Sequence, residues 1–180
     1  MIRIFILCLL TTLPLIAQVN NTAQTLSPGT YSLSVAPIYI EQADDDDLDI
    51  YFFFDYGVRS GFDLSLRIGT GETPYFGMDA EWELFRRVPY LSFSAGGHYQ
   101  NGVGTDATLL TTIPLNHKME FFTGIDSDLE FNSNGVSDEL WWALGVEVIL
   151  RRKLVFLLEG DVPLSADARP QADLALKVYF

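Results

Sequence analysis

The chain has 180 residues, of which 24 are Asp or Glu and 11 are Lys or Arg, so its formal net charge at pH 7 is −13. This acidic balance argues against nucleic-acid binding, because nucleic-acid backbones attract basic proteins, and the length suits one domain. Yet 48% of the residues are hydrophobic and 13% are aromatic. Apolar and acidic residues are interleaved along the chain, which favours a sheet with two different faces.

The first 17 residues are typical of a secretory signal peptide. Arg3 supplies the basic start, residues 4–10 form the apolar core, and Ala17 marks the expected cleavage site. The apolar core is too short to cross a bilayer as a helix, which needs about 20 residues. We therefore predict a signal peptide over residues 1–17, a short lead over residues 18–29 and one domain over residues 30–180.

Residues 30–180 have the pattern of successive β-strands, because apolar and polar side chains alternate with period two. The alternation is strongest over residues 48–58, 62–68, 76–84 and 140–150. It is weaker over residues 30–41, 90–99, 107–115, 119–131 and 154–162, and it is clear again in the closing strand over residues 172–180. The pattern predicts ten strands, or eight if two of the weaker segments are loops. The apolar parity changes between Val35 and Ile38, so we expect a bulge at Pro37, which cannot donate to a ladder.

The connections between these strands alternate in length. Short turns are expected at residues 60–61, 86–89, 116–118 and 151–153. Longer loops are expected at residues 42–47, 70–74, 100–106, 132–139 and 165–171. Acidic residues gather in the longer loops, above all at residues 44–47, and basic residues gather beside the short turns. This arrangement is typical of barrels that cross an outer membrane with acidic loops outside and both termini in the periplasm.

A soluble barrel or sandwich is the alternative, because there the apolar face would point inward. The bulk of the apolar face favours lipid exposure, since it would overfill a small interior. Its large aromatic members are Phe52, Phe54, Phe62, Phe76, Trp82, Phe93, Phe121, Trp142, Phe156 and Phe180. Aromatic residues expected at the membrane interfaces are Tyr31, Tyr75, Tyr90, Tyr99, Trp141, Trp142 and Tyr179. The sequence therefore predicts an all-β, closed antiparallel transmembrane β-barrel.

The last strand ends the chain on an aromatic residue. Leu174, Leu176, Val178 and Phe180 share the apolar parity, and a terminal Phe in this setting resembles the assembly signal of bacterial outer-membrane barrels. The chain as a whole resembles small outer-membrane barrels of the OmpA/OmpX kind. The resemblance implies a Gram-negative outer-membrane location, and because a few members of that group are enzymes, candidate sites need testing one by one. The first function hypothesis is a structural or surface-display role without catalysis. The resemblance also implies outer-membrane lipid, lipopolysaccharide and the barrel-assembly machinery as partners.

Two ladders of acidic residues lie on the parity expected to face the lumen. They are Asp79, Glu81 and Glu83 in one strand and Asp126, Asp128 and Glu130 in another. Such carboxylates can perform acid–base chemistry, bind cations through oxygen, or line a hydrated interior. A narrow cation-binding or cation-passing barrel is therefore the alternative function.

Few basic residues are available to balance the lumen acids. Those expected inside are Arg59, Arg67, Arg151 and Lys177. Divalent cations are possible partners at the acidic loops, but the run at residues 44–47 lacks the spacing of a calcium-binding loop. We expect no dedicated metal site and no cofactor.

His98 lies in a segment that resembles the His-x-Ser-Asn motif of lipid A deacylase barrels, with His98 and Asn101 at matching positions. The position of the nucleophilic serine is Gln100, and an amide cannot form an acyl-enzyme. A lipid-modifying enzyme is therefore the least favoured function, and no catalytic residue is assigned. We expect His98 to be a hydrogen-bonded lumen residue beside Tyr90 or Tyr99.

Overall fold

The computed structural model describes residues 21–41, 46–70, 73–100, 102–132, 135–166 and 168–180. Strands make up nearly all of this part of the chain, which contains no helix. They are β1 (Tyr31–Glu41), β2 (Asp46–Arg59), β3 (Phe62–Thr70), β4 (Tyr75–Phe85), β5 (Tyr90–Tyr99), β6 (Val103–Asn116), β7 (Met119–Asn132), β8 (Gly135–Arg151), β9 (Leu154–Pro163) and β10 (Gln171–Tyr179). The signal peptide predicted over residues 1–17 lies outside the described residues.

The ten strands close into one antiparallel barrel, because each strand pairs with its sequence neighbours and β10 pairs with β1. In the closing pair, Val35 lies opposite Leu176, and the amide of Phe180 donates to the carbonyl of Tyr31 at 2.9 Å. Every described strand therefore has a partner on both sides, and no sheet edge is exposed. The predicted closed ten-stranded barrel is confirmed, and the eight-stranded alternative is wrong.

The connections define two ends of the barrel. At the short-turn end, where β1 begins and β10 ends, they span residues 60–61, 86–89, 117–118 and 152–153. At the loop end they span residues 42–45, 71–74, 100–102, 133–134 and 164–170.

Two of the predicted long loops are wrong in extent, because the ladder continues into them. β6 begins at Val103 and β8 at Gly135, so Asp106 is a strand residue opposite Asp128, and Glu139 also faces Asp128 from β8. The acidic run at residues 44–47 is only partly described, since residues 44–45 lie outside the described part and the remainder begins β2.

One parity of the strands points outward and is apolar. Its large exposed members in mid-strand include Phe52, Phe54, Leu64, Met78, Phe93, Leu109, Ile125, Trp142, Leu158, Leu174 and Leu176. Among the strand residues whose side chains the structure describes, the outward parity carries a charged residue only near the loop end of β8, at Asp138. The result is an apolar belt around the barrel, which we call the outer belt.

The inward parity is mixed rather than uniformly polar. Its apolar members form a cluster inside the barrel, which we call the inner cluster. It includes Ile38, Phe53, Leu110, Phe122 and Leu157. This cluster fills part of the lumen, so the interior is not the continuous hydrated space that the alternation suggested.

The burial of inward side chains explains two sequence-based errors. The bulge expected at Pro37 is absent, since β1 keeps its register with β2 through Pro37 and Ile50, and Ile38 is inward and fully buried. Tyr75 and Trp141, expected at the membrane interfaces, are inward and each 5% exposed. The side chains of Ile38, Tyr75 and Trp141 thus pack inside the barrel and are not part of the outer belt.

Glycines make room for the larger inward side chains. A Cβ at Gly145 would lie 2.0 Å from Cζ of Phe122, and a Cβ at Gly96 would lie 2.1 Å from Oδ1 of Asp79. Because the volume inside a closed barrel is fixed, a large residue on one strand requires a small residue on its neighbour.

We predict that Gly145→Ala destabilises the barrel by about 1–3 kcal/mol, because the added methyl overpacks the interior against Phe122. The matched control is Gly160→Ala, whose Cβ would meet nothing closer than 3.5 Å and which removes the flexibility of a strand glycine. Urea unfolding of the refolded barrels, followed by tryptophan fluorescence, measures both. Equal midpoints for the two variants would contradict the interior packing described above.

Candidate functional site

The lumen contains most of the buried charge of the molecule and is the candidate functional site. It has two halves with different contents. The half at the short-turn end is occupied by residues 21–29, which precede β1 and which we call the plug segment. The half at the loop end contains a network around Arg67 and His98, and we call it the loop half.

The plug segment donates hydrogen bonds to carboxylates on the barrel wall. Each donor is neutral, and three of the four are side-chain groups. The pairs are Asn21 Nδ2 with Glu81 (2.6 Å), Gln24 Nε2 with Glu120 (2.5 Å), Thr25 Oγ1 with Glu83 (3.4 Å) and the Leu26 amide with Asp63 (2.9 Å). Buried carboxylates need donors, and the plug segment supplies them.

The backbone of the plug segment is also fixed to the wall. The amide of Ala23 donates to Oγ1 of Thr112 at 2.8 Å, and Ala23 is fully buried. The amide of Gly29 donates to the carbonyl of Gly57 at 2.8 Å. A Cβ at Gly57 would lie 2.2 Å from the carbonyl oxygen of Ser27, so the segment can approach β2 only because a glycine is there.

These contacts place part of the lead predicted over residues 18–29 against the inner wall of the barrel. Residues 18–20 of that lead lie outside the described residues. The sequence offered one signal for this docking, the amide and hydroxyl side chains of residues 21–25, but amides on a polar lead are equally suited to solvent.

Lys177 is the buried base of the short-turn half. Its Nζ lies 3.2 Å from Oδ2 of Asp55 and donates to Oδ1 of Asn21 at 3.1 Å. Asp55 also accepts hydrogen bonds from the hydroxyls of Ser32 and Ser65. This carboxylate is therefore fully coordinated by groups of the barrel itself.

The loop half is organised by Arg67 and His98. Nε of Arg67 lies 2.5 Å from Oδ2 of Asp79, and its Nη2 lies 3.4 Å from Oδ1 of Asp106. Nδ1 of His98 lies 3.4 Å from Oδ2 of Asp106, and Nε2 lies 3.5 Å from Oδ1 of Asp128. Asp106 thus joins the two basic groups into one network.

Packing fixes the ring of His98 in this network. The ring stacks on Tyr75 with centroids 5.3 Å apart and planes 20° apart. A Cβ at Gly104 would lie 2.0 Å from Nε2 of His98, so the glycine provides the space for the imidazole. The expectation that His98 is an inward, hydrogen-bonded residue is correct, but its neighbours are Tyr75 and two aspartates rather than Tyr90 or Tyr99.

The six carboxylates predicted as one lumen cluster all lie on inward parity, but they are divided between the two halves. Glu81 and Glu83 contact the plug segment. The loop-half members are Asp79 beside Arg67, Asp128 beside His98, Asp126 accepting from Thr108 at 2.5 Å, and Glu130. The prediction missed Asp106, which connects Arg67 to His98, because the sequence placed it in a loop.

Fewer basic residues lie inside the barrel than the sequence predicted. Arg67 and Lys177 are inside the barrel, whereas Arg59 and Arg151 are exposed at the short-turn end. Arg59 instead lies over the outer ring of Phe62, 5.6 Å from its centroid. The described lumen therefore has an even larger excess of carboxylates than the sequence indicated.

A second group of acids lies on β9 and β10 in the loop half. Glu159 and Asp161 are both inward on β9, and Asp173 is inward on β10 opposite Glu159. Asp161 is 3% exposed, and neither of its carboxylate oxygens has a hydrogen-bond partner in the described part of the chain.

The space left between the two halves is small. A cavity of about 30 Å³ lies between Asn21 of the plug segment and Arg67, with Phe53 and Leu110 of the inner cluster in its wall. This volume suits one or two waters. The plug segment and the inner cluster therefore leave little free space at this level of the described lumen.

Within the described ranges, no three His, Cys, Asp or Glu side chains are arranged to hold one metal ion. None of the described segments is a helix with the length and apolarity needed to cross a bilayer. No protein-family model matches the chain, and no curated protein matches its sequence. The molecule is thus defined by its fold, a closed ten-stranded antiparallel β-barrel with an acidic, partly filled lumen.

We predict that Ala23→Cys, in a chain whose Cys8 is replaced by Ser, is protected from maleimide in the folded barrel because residue 23 is fully buried. The control is Ser27→Cys at the exposed end of the plug segment, which should react at once. Adding Gly57→Val should displace the segment and expose the thiol at position 23. Rapid labelling at position 23 in the otherwise native barrel would show that the plug segment does not stay docked.

Proposed function

We propose that the protein is an integral outer-membrane β-barrel with a structural or surface-display role. The outer belt is the observation that carries this proposal. A contiguous apolar surface of this extent is rare on soluble monomers and marks contact with another apolar phase. A closed barrel is one of the two structures that satisfy every backbone group inside lipid.

The distribution of charge supports the same environment. A base at mid-depth on the lipid face costs about 2–4 kcal/mol, and the outer belt has no base in mid-strand. The basic turn residues Arg86, Arg87, Arg152 and Lys153 lie at the short-turn end, and under this proposal that end and both termini are periplasmic. The acidic loops then face lipopolysaccharide and its associated divalent cations.

The carboxyl-terminal strand fits the proposed assembly route. Leu174 and Leu176 are 47% and 46% exposed and Phe180 is 64% exposed, so these side chains of the proposed assembly signal are available on the outside. The proposed family is the small outer-membrane barrel of the OmpA/OmpX kind, inserted by the barrel-assembly machinery. We propose no catalytic role, since Gln100 stands where the deacylase motif has its nucleophile.

The membrane proposal predicts a depth-dependent cost for a base on the outer belt. Leu109→Arg, at the middle of β6, should cost about 2–4 kcal/mol, whereas Leu115→Arg, near the short-turn end of the same strand, should cost about 0–1 kcal/mol. Both leucines are exposed, at 46% and 57%, so a soluble barrel would tolerate both changes alike. Urea unfolding in phospholipid vesicles distinguishes the two cases, and equal small effects would refute lipid contact.

A second candidate function is cation binding in the lumen, which the excess of buried carboxylates over Arg67 and Lys177 favours. Cation passage is less well supported, because the plug segment and the inner cluster occupy the path. We therefore propose binding rather than conduction.

We predict that planar bilayers containing the protein show no stepwise conductance, since the cavity beside Arg67 holds only one or two waters. Co-flotation with liposomes verifies that the protein has inserted. A cation-selective conductance that falls when Asp79, Glu81 and Glu83 are replaced by amides would instead establish the passing function.

A further inference from the structure

We propose that the loop half of the lumen binds an organic cation with two or more ammonium groups, of the aliphatic polyamine class, through Asp161, Glu159 and Asp173. The proposal rests on the cation-binding function proposed above and does not depend on the membrane location.

The first support is the register of the last two strands. Glu159 and Asp161 are two residues apart on β9, so their side chains point to the same side about 6.7 Å apart. Asp173 lies directly opposite Glu159 across the β9–β10 pair, and Gln171 lies opposite Asp161. All four are buried and inward. The barrel thus presents an extended row of oxygens along one wall.

The second support is the buried position of Asp161 and its lack of hydrogen-bond donors among the described residues. Asp161 is 3% exposed, and neither of its carboxylate oxygens has a hydrogen-bond partner in the residues that the structure describes. The charges that act on it are those of Glu159, Asp126 and Asp173, all carboxylates. A buried acid among other acids and without a donor is costly, and an ammonium group supplies both a donor and the opposite charge.

The third support is the contrast with the short-turn half. There the carboxylates Glu81, Glu83, Glu120 and Asp63 accept hydrogen bonds from the plug segment. In the loop half Arg67 and His98 are engaged with Asp79, Asp106 and Asp128. Among the described residues, the plug segment thus donates to carboxylates of the short-turn half. The two basic groups of the loop half pair with aspartates other than Asp161.

The arrangement favours a long cation over a chelated metal ion. A metal needs several ligand atoms converging on one point, and no such group of three side chains occurs among the described residues. Carboxylates distributed along a strand and across to its neighbour instead suit charges distributed along a chain. Asp161 is two residues from the end of β9 at Pro163, so the row begins close to the loop end of the barrel.

The experiment is calorimetric titration of spermidine into the refolded full-length mature barrel in an uncharged detergent. We expect saturable binding that Asp161→Asn weakens about tenfold or more, as removal of one charge-assisted hydrogen bond does. Glu120→Gln, which also removes one lumen carboxylate but at the plug segment, is the matched control and should bind like the wild type. Asp173→Asn serves as the second variant if Asp161→Asn does not fold, as judged by heat-modifiable gel mobility.

A calorimetric titration with calcium chloride completes the test. Tight calcium binding with no spermidine binding would overturn the polyamine proposal while leaving a cation-binding lumen. Binding of neither cation would overturn both. Spermidine binding that Asp161→Asn and Glu120→Gln weaken equally would mean general attraction to an acidic protein and would overturn the assigned site.

Discussion

Pairing of β10 with β1 is the constraint on which the rest of the structure depends. Once the sheet is closed, the alternation of a strand assigns every side chain either to an enclosed volume or to the outside. The enclosed volume must be filled to ordinary density, which explains why Gly145 faces Phe122 and Gly104 faces His98. The outside receives the remaining apolar residues and becomes the outer belt.

Closure also concentrates negative charge, because most strands contribute inward acids and, among the described residues, only Arg67 and Lys177 are permanent bases inside the barrel. The plug segment solves part of this problem. Its donors satisfy the hydrogen-bonding needs of Glu81 and Glu120, but they are neutral and leave the charge in place. Hydrogen-bond satisfaction and charge balance are therefore separate requirements in this lumen, and the plug segment contributes to the first and not to the second.

The strands were predictable from sequence because period-two alternation persists through all ten of them, and the ends of most strands are marked by turn residues. The inward positions were less predictable, since alternation separates two faces but does not say that the inner one is polar throughout. Ile38, Tyr75 and Trp141 were assigned to the outside for this reason, although all three are buried. The bridging position of Asp106 required the register of β5, β6 and β7, which no local pattern contains.

The docking of the plug segment was also difficult to predict from the sequence, and it has a consequence for folding. Its acceptors Asp63, Glu81 and Glu120 lie on β3, β4 and β7, so they surround one space only after the sheet has curled into a barrel. A segment that binds only the closed form stabilises that form by mass action, and its attachment to β1 makes its effective concentration high. Docking of the plug segment therefore follows closure and opposes reopening, so that a polar lead without strand character contributes to the stability of the barrel.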